Sequence, residues 1–559
     1  MQNYRKDKMN MKYCLIAGLL LGFCSLSAIG ESPVISMRLR ISHTATEEQW
    51  QKTFAALKEN PGCCDEVWFS TGIGLPPLQH HRNHARRLAV YAAQLRKLGI
   101  TPSLQIQATL GHGDEFSALE DCSAKNWTGW TGSTGVEDKY CSCPRQSAFL
   151  SYICEMAGIY ASFQPGSVWI DDDLRIEHHR PATDNSRAGC WCKTCIAAFN
   201  SKTAGNWTRE TLNAAMAGDA GLEAEWCAFS IEAIAAIAKA IAAEVHARSP
   251  ETMMALQNCF DFRNFDKTRA IVTAMHEATG SKVGLRPGGG AYYDINPNDQ
   301  VIKSLTAVNF RAKLGNMPEV GVWCPEVESW PRAYSSRSAQ SAIIESFVAL
   351  AYGFNSTSLL ILDTRYESDE LYSRTLLRPI ADAAPVLKGL TGQNKGAVAA
   401  GFVAQGVNVP QMYRFALSGV PMLIGPGRSC GELKGKELSF DICQTGSKDV
   451  QALRDELDKR AGGLPAVLGS PFVGLMLPYV GENDGALRSV ALLNTRIDMQ
   501  GPIVLRLRNL APGAKAVWHE LRRPSMPIEI ERTGDISRVT IPAIGAWNGG
   551  YLAIYADIR

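Results

Sequence analysis

Between Val168 and Phe199 the chain reads VWIDDDLRIEHHRPATDNSRAGCWCKTCIAAF, an apolar run closed by three aspartates and followed by three cysteines. Asp171, Asp172 and Asp173 are groups that can move protons or attack an electrophilic carbon. At a strand end they could equally hold calcium, cap a helix or lie in a solvated loop. A second acidic pair, Glu326 and Glu328 in VWCPEVESWP, also closes an apolar run, with Trp323 and Trp330 beside it. Glycoside cleavage needs one carboxylic acid to protonate the leaving oxygen and a second carboxylate to attack the anomeric carbon or activate water. Tryptophan rings that stack on sugar faces fit the same chemistry.

The cysteines point to a separate role. Cys190, Cys192 and Cys195 are too close together to pair only among themselves. Thiolates at this spacing can wrap a tetrahedral zinc ion, which needs a fourth ligand. The segment YCSCPRQSAFLSYI offers Cys141 and Cys143. A set of disulfides, such as Cys143 with one member of the cluster, is the alternative in an oxidising compartment. Either arrangement is structural, since four protein ligands leave zinc no open position; no cofactor is expected for catalysis.

These groups need a frame. From Val34 to about Gly392, eight strand-like runs alternate with helix-like stretches: Ile35 to Ser42, Asp65 to Thr71, Thr101 to Ala108, Ser167 to Asp171, Met253 to Gln257, Lys282 to Pro287, Glu319 to Pro325 and Ser358 to Asp363. Between them, segments such as His84 to Gly99 and Ala228 to Ser249 repeat apolar residues every three to four positions. Eight rounds predict an α/β fold, a (β/α)8 TIM barrel over residues 31–392, with a doubly wound open sheet as the competitor. Barrel chemistry sits at the C-terminal rim, which places both acidic clusters there. His43, Thr44, Gln107, His112, Gln257, Asn258, Asp261, Arg286, Asp363 and Arg365 join them. Alternation along a strand predicts that Asp171 and Asp173 share one face and Asp172 the other. A small α/β domain is expected over 393–469 and a β-sandwich over 470–559.

Residues 1–30 read as a signal peptide: Arg5, Lys6, Lys8 and Lys12 precede YCLIAGLLLGFCSLSA and a small-residue exit. The expectation is a secreted or periplasmic protein with no later apolar run of membrane-spanning length, and hence no membrane partner after cleavage. Lysine plus arginine (57) nearly balance aspartate plus glutamate (55), so no global field invites nucleic acid.

Three stretches together resemble glycoside hydrolase family 42, the β-galactosidases of clan A: CPRQSAF (Cys143 to Phe149), IDDD (Ile170 to Asp173) and CWCKTCIAAF (Cys190 to Phe199). The passage ALAYGFNSTSLLIL and the later ALSGVPMLIGP are similar too. The resemblance implies a barrel with two further domains and a structural zinc on Cys143, Cys190, Cys192 and Cys195. It also implies Asp173 as general acid/base and Glu328, three residues before Pro331, as nucleophile, with Glu326 as alternative. Retaining cleavage would set the two carboxyls about 5 Å apart, with burial and nearby Asp171 or Asp172 keeping Asp173 protonated. Asp172, Trp323, Trp330, Arg286, His112 and Asn258 are the expected substrate contacts. The substrate is expected to be an oligosaccharide or a glycoprotein glycan, and a homo-oligomer is possible.

One departure widens the choice of sugar. Asp172 stands where the family has an asparagine that contacts the sugar 2-hydroxyl. An exo-sialidase or N-acetylhexosaminidase on the same barrel is therefore a second expectation, with Arg286, Arg332 or Arg365 pairing a sialic carboxylate and Tyr292, Tyr293 or Tyr334 as nucleophile. A non-catalytic carbohydrate-binding protein is a third.

Overall fold

A proline in the seventh strand decides how the main sheet closes. The computed structural model describes residues 34–111, 125–177, 187–260, 265–331, 336–362, 371–442 and 444–556. Eight parallel barrel strands run in chain order: β1 (Val34–Arg38), β2 (Glu66–Ser70), β3 (Thr101–Ile106), β4 (Ser167–Ile170), β5 (Met253–Cys259), β6 (Val283–Gly288), β7 in two segments (Val320–Trp323 and Glu326–Glu328) and β8 (Ser356–Leu360). The first segment of β7 pairs with β6, the second with β8, and β8 pairs with β1. The ring therefore closes across the two residues Cys324 and Pro325. Pro325 has no amide hydrogen to give to a ladder, and its carbonyl instead accepts from Ser358 Oγ at 3.1 Å. All eight expected strands are present, and the TIM barrel stands against the open sheet.

Alternation fills the barrel in layers. At the base, Glu66 accepts from Ser36 Oγ (2.5 Å), Trp68 Nε1 (2.6 Å), Ser103 Oγ (2.5 Å) and Ser167 Oγ (2.6 Å). Above it Trp68 stacks on Trp169 at 4.3 Å between centroids, packed with Ala255 and Cys324. A Cβ on Gly284 would lie 2.8 Å from Ala255 and 3.0 Å from Trp169, so only glycine leaves room for the indole there. The polar layer at the rim carries the acids. A cavity of about 700 Å³ lies at the opposite, N-terminal end, lined by Glu66, Trp169, Phe354 and Tyr479 among others.

Helices surround the barrel. The 29-residue helix Ala220–Arg248 is long and apolar enough to cross a membrane by composition, contrary to the expectation that no such run follows residue 30. In the barrel it is a core helix, burying Trp226, Ile234, Ile237, Ile241 and Val245. Beyond the barrel, Ala397–Gln405 pairs in parallel with Met422–Leu423 and Arg428–Lys434 and antiparallel with Gly474–Gly481. One sheet thus runs from the α/β segment into the antiparallel strands Leu487–Asn494, Asn548–Tyr555, Lys515–Glu520 and Met526–Ile528. A four-stranded sheet faces it, and Val490, Leu492, Leu505, Trp518, Val539 and Leu552 fill the space between.

Between the helices Leu78–Lys97 and Ser147–Ala161 a buried chain of hydrogen bonds has one self-consistent direction. Tyr152 Oη donates to the Pro76 carbonyl (2.5 Å), so its oxygen accepts His81 Nε2–H (2.9 Å). His81 Nδ1 then accepts from Tyr160 Oη, which accepts from His84 Nδ1, both at 3.0 Å; His84 Nε2 faces Thr44 Oγ1 at 3.3 Å. A proton added at His81 Nδ1 would displace the hydrogen bond from Tyr160 Oη, whereas one at His84 Nε2 would face Thr44 Oγ1, which itself donates to the Ile41 carbonyl at 3.2 Å. Burial, followed by nearby basic side chains (His80, His84 and Lys125 for His81; Arg87 and His80 for His84), lowers His81 to about 3 and His84 to about 4. Both remain neutral in the fold while the unfolded chain titrates near its ordinary value, so stability is complete above about pH 6.5. It declines as pH falls toward 4, by up to about 1.4 kcal/mol per pH unit for each histidine. Denaturant unfolding across pH 7 to 4 should show this slope, and H84Q should make it shallower, with His81 and the buried His43, also lowered to about 4, supplying the remainder.

Candidate active site

At the rim, β4 and β7 deliver carboxylates into a set of buried cations. Strand β4 ends at Ile170, and Asp171 still points inward, where its Oδ2 accepts from Gln105 Nε2 at 3.2 Å. Alternation then fails, because the chain turns. Asp172 is paired with Arg175 at 2.9 Å and also accepts from the Cys259 thiol. Asp173, 1% exposed, folds back on the loop after β3 and accepts from Thr109 N (2.6 Å), Thr109 Oγ1 (2.5 Å) and Gly111 N (2.8 Å). The three aspartates thus serve three different neighbours.

Glu326 and Glu328 are two residues apart on β7 and both face inward. Glu326 is ion-paired with Arg286, lies 3.6 Å from Lys303 Nζ and accepts from Tyr292 Oη at 3.3 Å. Burial alone would favour its neutral form, but Arg286, Lys303 and Arg38 outweigh it and hold the carboxyl well below the usual range. A Cβ on Gly288 would come within 2.5 Å of Glu326 Cβ, so a bare glycine on β6 is what lets this acid enter. Glu328 accepts from Arg38 Nη1 at 3.2 Å, and Arg38 Nε in turn donates to Gln105 Oε1 at 3.1 Å. A bridge Glu328–Arg38–Gln105–Asp171 therefore spans the barrel, and the other Arg286 nitrogen lies 4.0 Å from Asp171.

A second ring of charge lies behind β7. Lys303 also reaches Glu345 at 3.5 Å, Glu345 pairs with Arg337, and Arg337 Nη1 donates to the Glu328 carbonyl at 2.7 Å. All three side chains are buried.

The expected substrate contacts divide. Trp330 stands exposed on the rim. Arg286 is inside but is committed to Glu326 and Asp171. Trp323 is corrected: its neighbours Val322 and Cys324 take the inner face, and the indole packs outside against Phe354, with Arg311 over it at 4.9 Å. Asn258 is corrected likewise. It alternates with inward Gln257 and Cys259, accepts from Thr268 Oγ1 on a surrounding helix (3.3 Å) and donates to the Cys259 carbonyl (2.6 Å). His112, Asp261, Arg332, Tyr334, Asp363 and Arg365 lie outside the described residues. Sequence reading passed over Arg38, Gln105, Lys303, Arg337 and Glu345. Parity in SMRLR pairs Arg38 with inward Ser36 and was the available signal for the first of them.

On the connections that follow β3 and β4, Cys143, Cys190, Cys192 and Cys195 are buried with sulfurs all within 4.8 Å of one another. Cys143 lies 3.5 Å from both Cys192 and Cys195. A disulfide needs about 2.05 Å, whereas sulfurs at tetrahedral corners about 2.3 Å from a metal stand about 3.8 Å apart. The set fits a metal ion. Thr131 N donates to Cys190 Sγ at 3.4 Å, and Cys192 stands at the N-cap position of the helix Lys193–Thr203, where a thiolate is favoured. Such a clamp ties the hairpin Gly129–Thr131/Glu137–Ser142 to the chain that follows Asp173.

No family model matches the chain, and no curated protein matches it in sequence. Solved structures do. A β-galactosidase from Bacillus circulans sp. alkalophilus is 10% identical, with a TM-score of 0.56 over 94% of this chain and 99% of its own. A catalytic mutant of a GH42 β-galactosidase from G. stearothermophilus is also 10% identical, with a TM-score of 0.57 over the same shares. A β-galactosidase from the psychrophilic Marinomonas ef1 is 8% identical, with a TM-score of 0.54 over 93% of this chain and 100% of its own. The fold is that of the GH42 β-galactosidases. At this identity the likeness carries the architecture, and the roles of the side chains rest on the site.

Metal analysis of the purified protein should find about one tightly held ion per chain, with C143S and C192S losing it and unfolding at lower temperature. Oxidised cysteines and no metal would restore the disulfide arrangement.

Proposed function

We propose that the protein is a retaining glycoside hydrolase, acting first on β-galactoside-like ends of oligosaccharides or glycoprotein glycans. The observation that carries this reading is the convergence of acids from β4 and β7 inside one barrel rim, joined by the Arg38–Gln105 bridge. Glu328 is the nucleophile: Arg38 orients it, and it is the rim acid nearest the mouth on β7. For the acid/base we assign Asp171 rather than Asp173. Asp171 is the β4 acid that faces Glu328's side of the barrel, whereas Asp173 has both oxygens engaged by the β3 loop and Asp172 is held by Arg175 and Cys259. Asp173 then positions the loop.

In the first step Glu328 attacks the anomeric carbon as the Asp171 proton passes to the departing oxygen, leaving a glycosyl ester on Glu328. In the second, Asp171 as carboxylate takes a proton from water, which displaces Glu328 and restores both groups. Glu326, kept anionic by Arg286 and Lys303, offsets those buried cations, so that they do not oppose the positive charge that develops in the oxocarbenium-like transition state. The sialoside reading gains less support. Arg286 is already committed, and burial, with Glu326 and Glu328 nearby, pushes the Tyr292 phenol far up, against its use as a nucleophile. Export by the leader of residues 1–30 and zinc as the ion of the cysteine cluster belong to the same proposal. The charge pattern of the leader and the all-thiol ligand set support them.

A panel of aryl glycosides, including a β-galactoside, an N-acetylhexosaminide and a sialoside, tests the reading. The β-galactoside should be cleaved with retention, E328Q should fall to background, and D171N should lose about 100-fold or more on poor leaving groups. D173N should retain more activity than D171N; the reverse order would return the acid/base role to Asp173. No turnover of any member would leave a carbohydrate-binding protein.

A further inference from the structure

The helix Ala339–Ala351 reads AQSAIIESFVALA and carries a single charged residue, Glu345, which is 0% exposed. A carboxylate alone in an apolar helix is strongly disfavoured unless cations meet it. Two do, and each leads to an acid of the rim.

The first is Arg337. It precedes Ser338, which caps this helix by accepting from Ser341 N at 3.1 Å, and it folds back to pair with Glu345 about two turns further on. With that pair made, Nη1 is aimed at the Glu328 carbonyl at 2.7 Å, and Nη2 also reaches Gln300 Oε1 at 2.7 Å. Glu345 thus settles the angle of a planar guanidinium that also holds the main chain of the nucleophile.

The second cation is Lys303, on the helix Asn298–Leu314. Its neighbour Ser304 ties the two helices together, donating from Oγ to the Glu345 carbonyl at 2.8 Å. Lys303 Nζ lies 3.5 Å from Glu345 and 3.6 Å from Glu326, over the Tyr292 ring at 4.7 Å. Both ion-pair distances exceed the length of a charge-assisted hydrogen bond. One ammonium is therefore divided between a carboxylate inside the barrel and one behind it.

We infer that Glu345 is a positioning residue for the reaction: through Arg337 it fixes the main chain at Glu328, and through Lys303 it sets how much positive charge bears on the two β7 acids. This rests on the hydrolase reading and adds to it a residue that governs those acids from the far side of the strand. The titratable and charged groups around Glu326 and Glu328 are Arg38 on β1, Asp171 on β4, Cys259 on β5, Arg286 on β6, Tyr292 after it and Lys303. Among the described residues the Glu345 side chain meets Lys303 and Arg337 alone, so a change at Glu345 removes no direct partner of a rim acid. Without its charge, Lys303 and Arg337 are left in excess, and their potential favours the carboxylate form at Glu328 and Asp171 alike. Loss of the Lys303 charge does the reverse.

The test is the pH dependence of kcat/KM on the best substrate of the aryl glycoside panel. E345Q keeps the shape and removes the charge, and both limbs of the bell should move down by about one pH unit. K303Q should move both up by a similar amount, and E345Q/K303Q should bring the bell back near its original place. R337K keeps the charge but cannot span Glu345 and the Glu328 carbonyl together, so kcat should fall about tenfold with KM and the bell little changed. Bells of E345Q and K303Q that coincide with the original, or that move in the same direction, would overturn the inference. If E345Q fails to fold, the direction in which K303Q moves decides. A second measurement is independent of turnover. Labelling of Glu328 by a water-soluble carbodiimide and a small amine, followed across pH by peptide mass mapping, reports its protonated form. Opposite shifts of the labelling midpoint in the two variants, in a protein that hydrolyses no glycoside, would keep the positioning role and remove the hydrolase. Equal midpoints would remove the positioning role whatever the turnover.

Discussion

The neutralisation of carboxylates inside the barrel is the constraint on which this molecule turns. Asp171, Glu326 and Glu328 enter a space that also holds Arg38 and Arg286, with Lys303 reaching in from a helix. A buried acid without its cation costs several kcal/mol. The barrel can therefore carry acids at its rim only because arginines on β1 and β6 are inserted at matching heights. The same pairing keeps Glu326 ionised, while Asp171 accepts from the Gln105 amide and from Asp172 N and has Arg286 at 4.0 Å. Structure and chemistry draw on one set of contacts.

How much of this was legible in the sequence follows from parity. Side chains that alternate through SVWID put Asp171 inward, and the same count along VWCPEVE puts Glu326 and Glu328 inward and Trp323 outward. The indole misled because its chemical type was weighed ahead of its place in the alternation, and Asn258 misled for the same reason. Alternation stops where the strand stops: at Ile170 the chain turns, and neither Asp172 nor Asp173 obeys the rule. The eight strands were readable because each is a short apolar run bounded by turns. Lys303, Glu345 and Arg337 were not, since each acts through a neighbour on another element and none carries a local signal.

The cysteine spacing was readable as a cluster because its geometry is local for three of the four members. The fourth, Cys143, comes from the far side of a helix and a strand, and the family resemblance supplied it. Packing then brings its sulfur to 3.5 Å from two of the others. Clamp and acids are successive parts of one connection, and holding one limits the travel of the other.

Ala397–Gln405 belongs at once to three ladders, two parallel and one antiparallel. Phe402 and Val403 are paired on both edges by chain that follows directly, whereas Ala397, Val398 and Ala399 meet their antiparallel partner only in Gly474–Gly481, synthesised much later. Until that partner emerges from the ribosome, the nascent chain displays a bare row of amides and carbonyls, open to any extended neighbour. The last strands thus finish a sheet that the middle of the chain begins, and a shortened product would carry that open stretch of edge into solution.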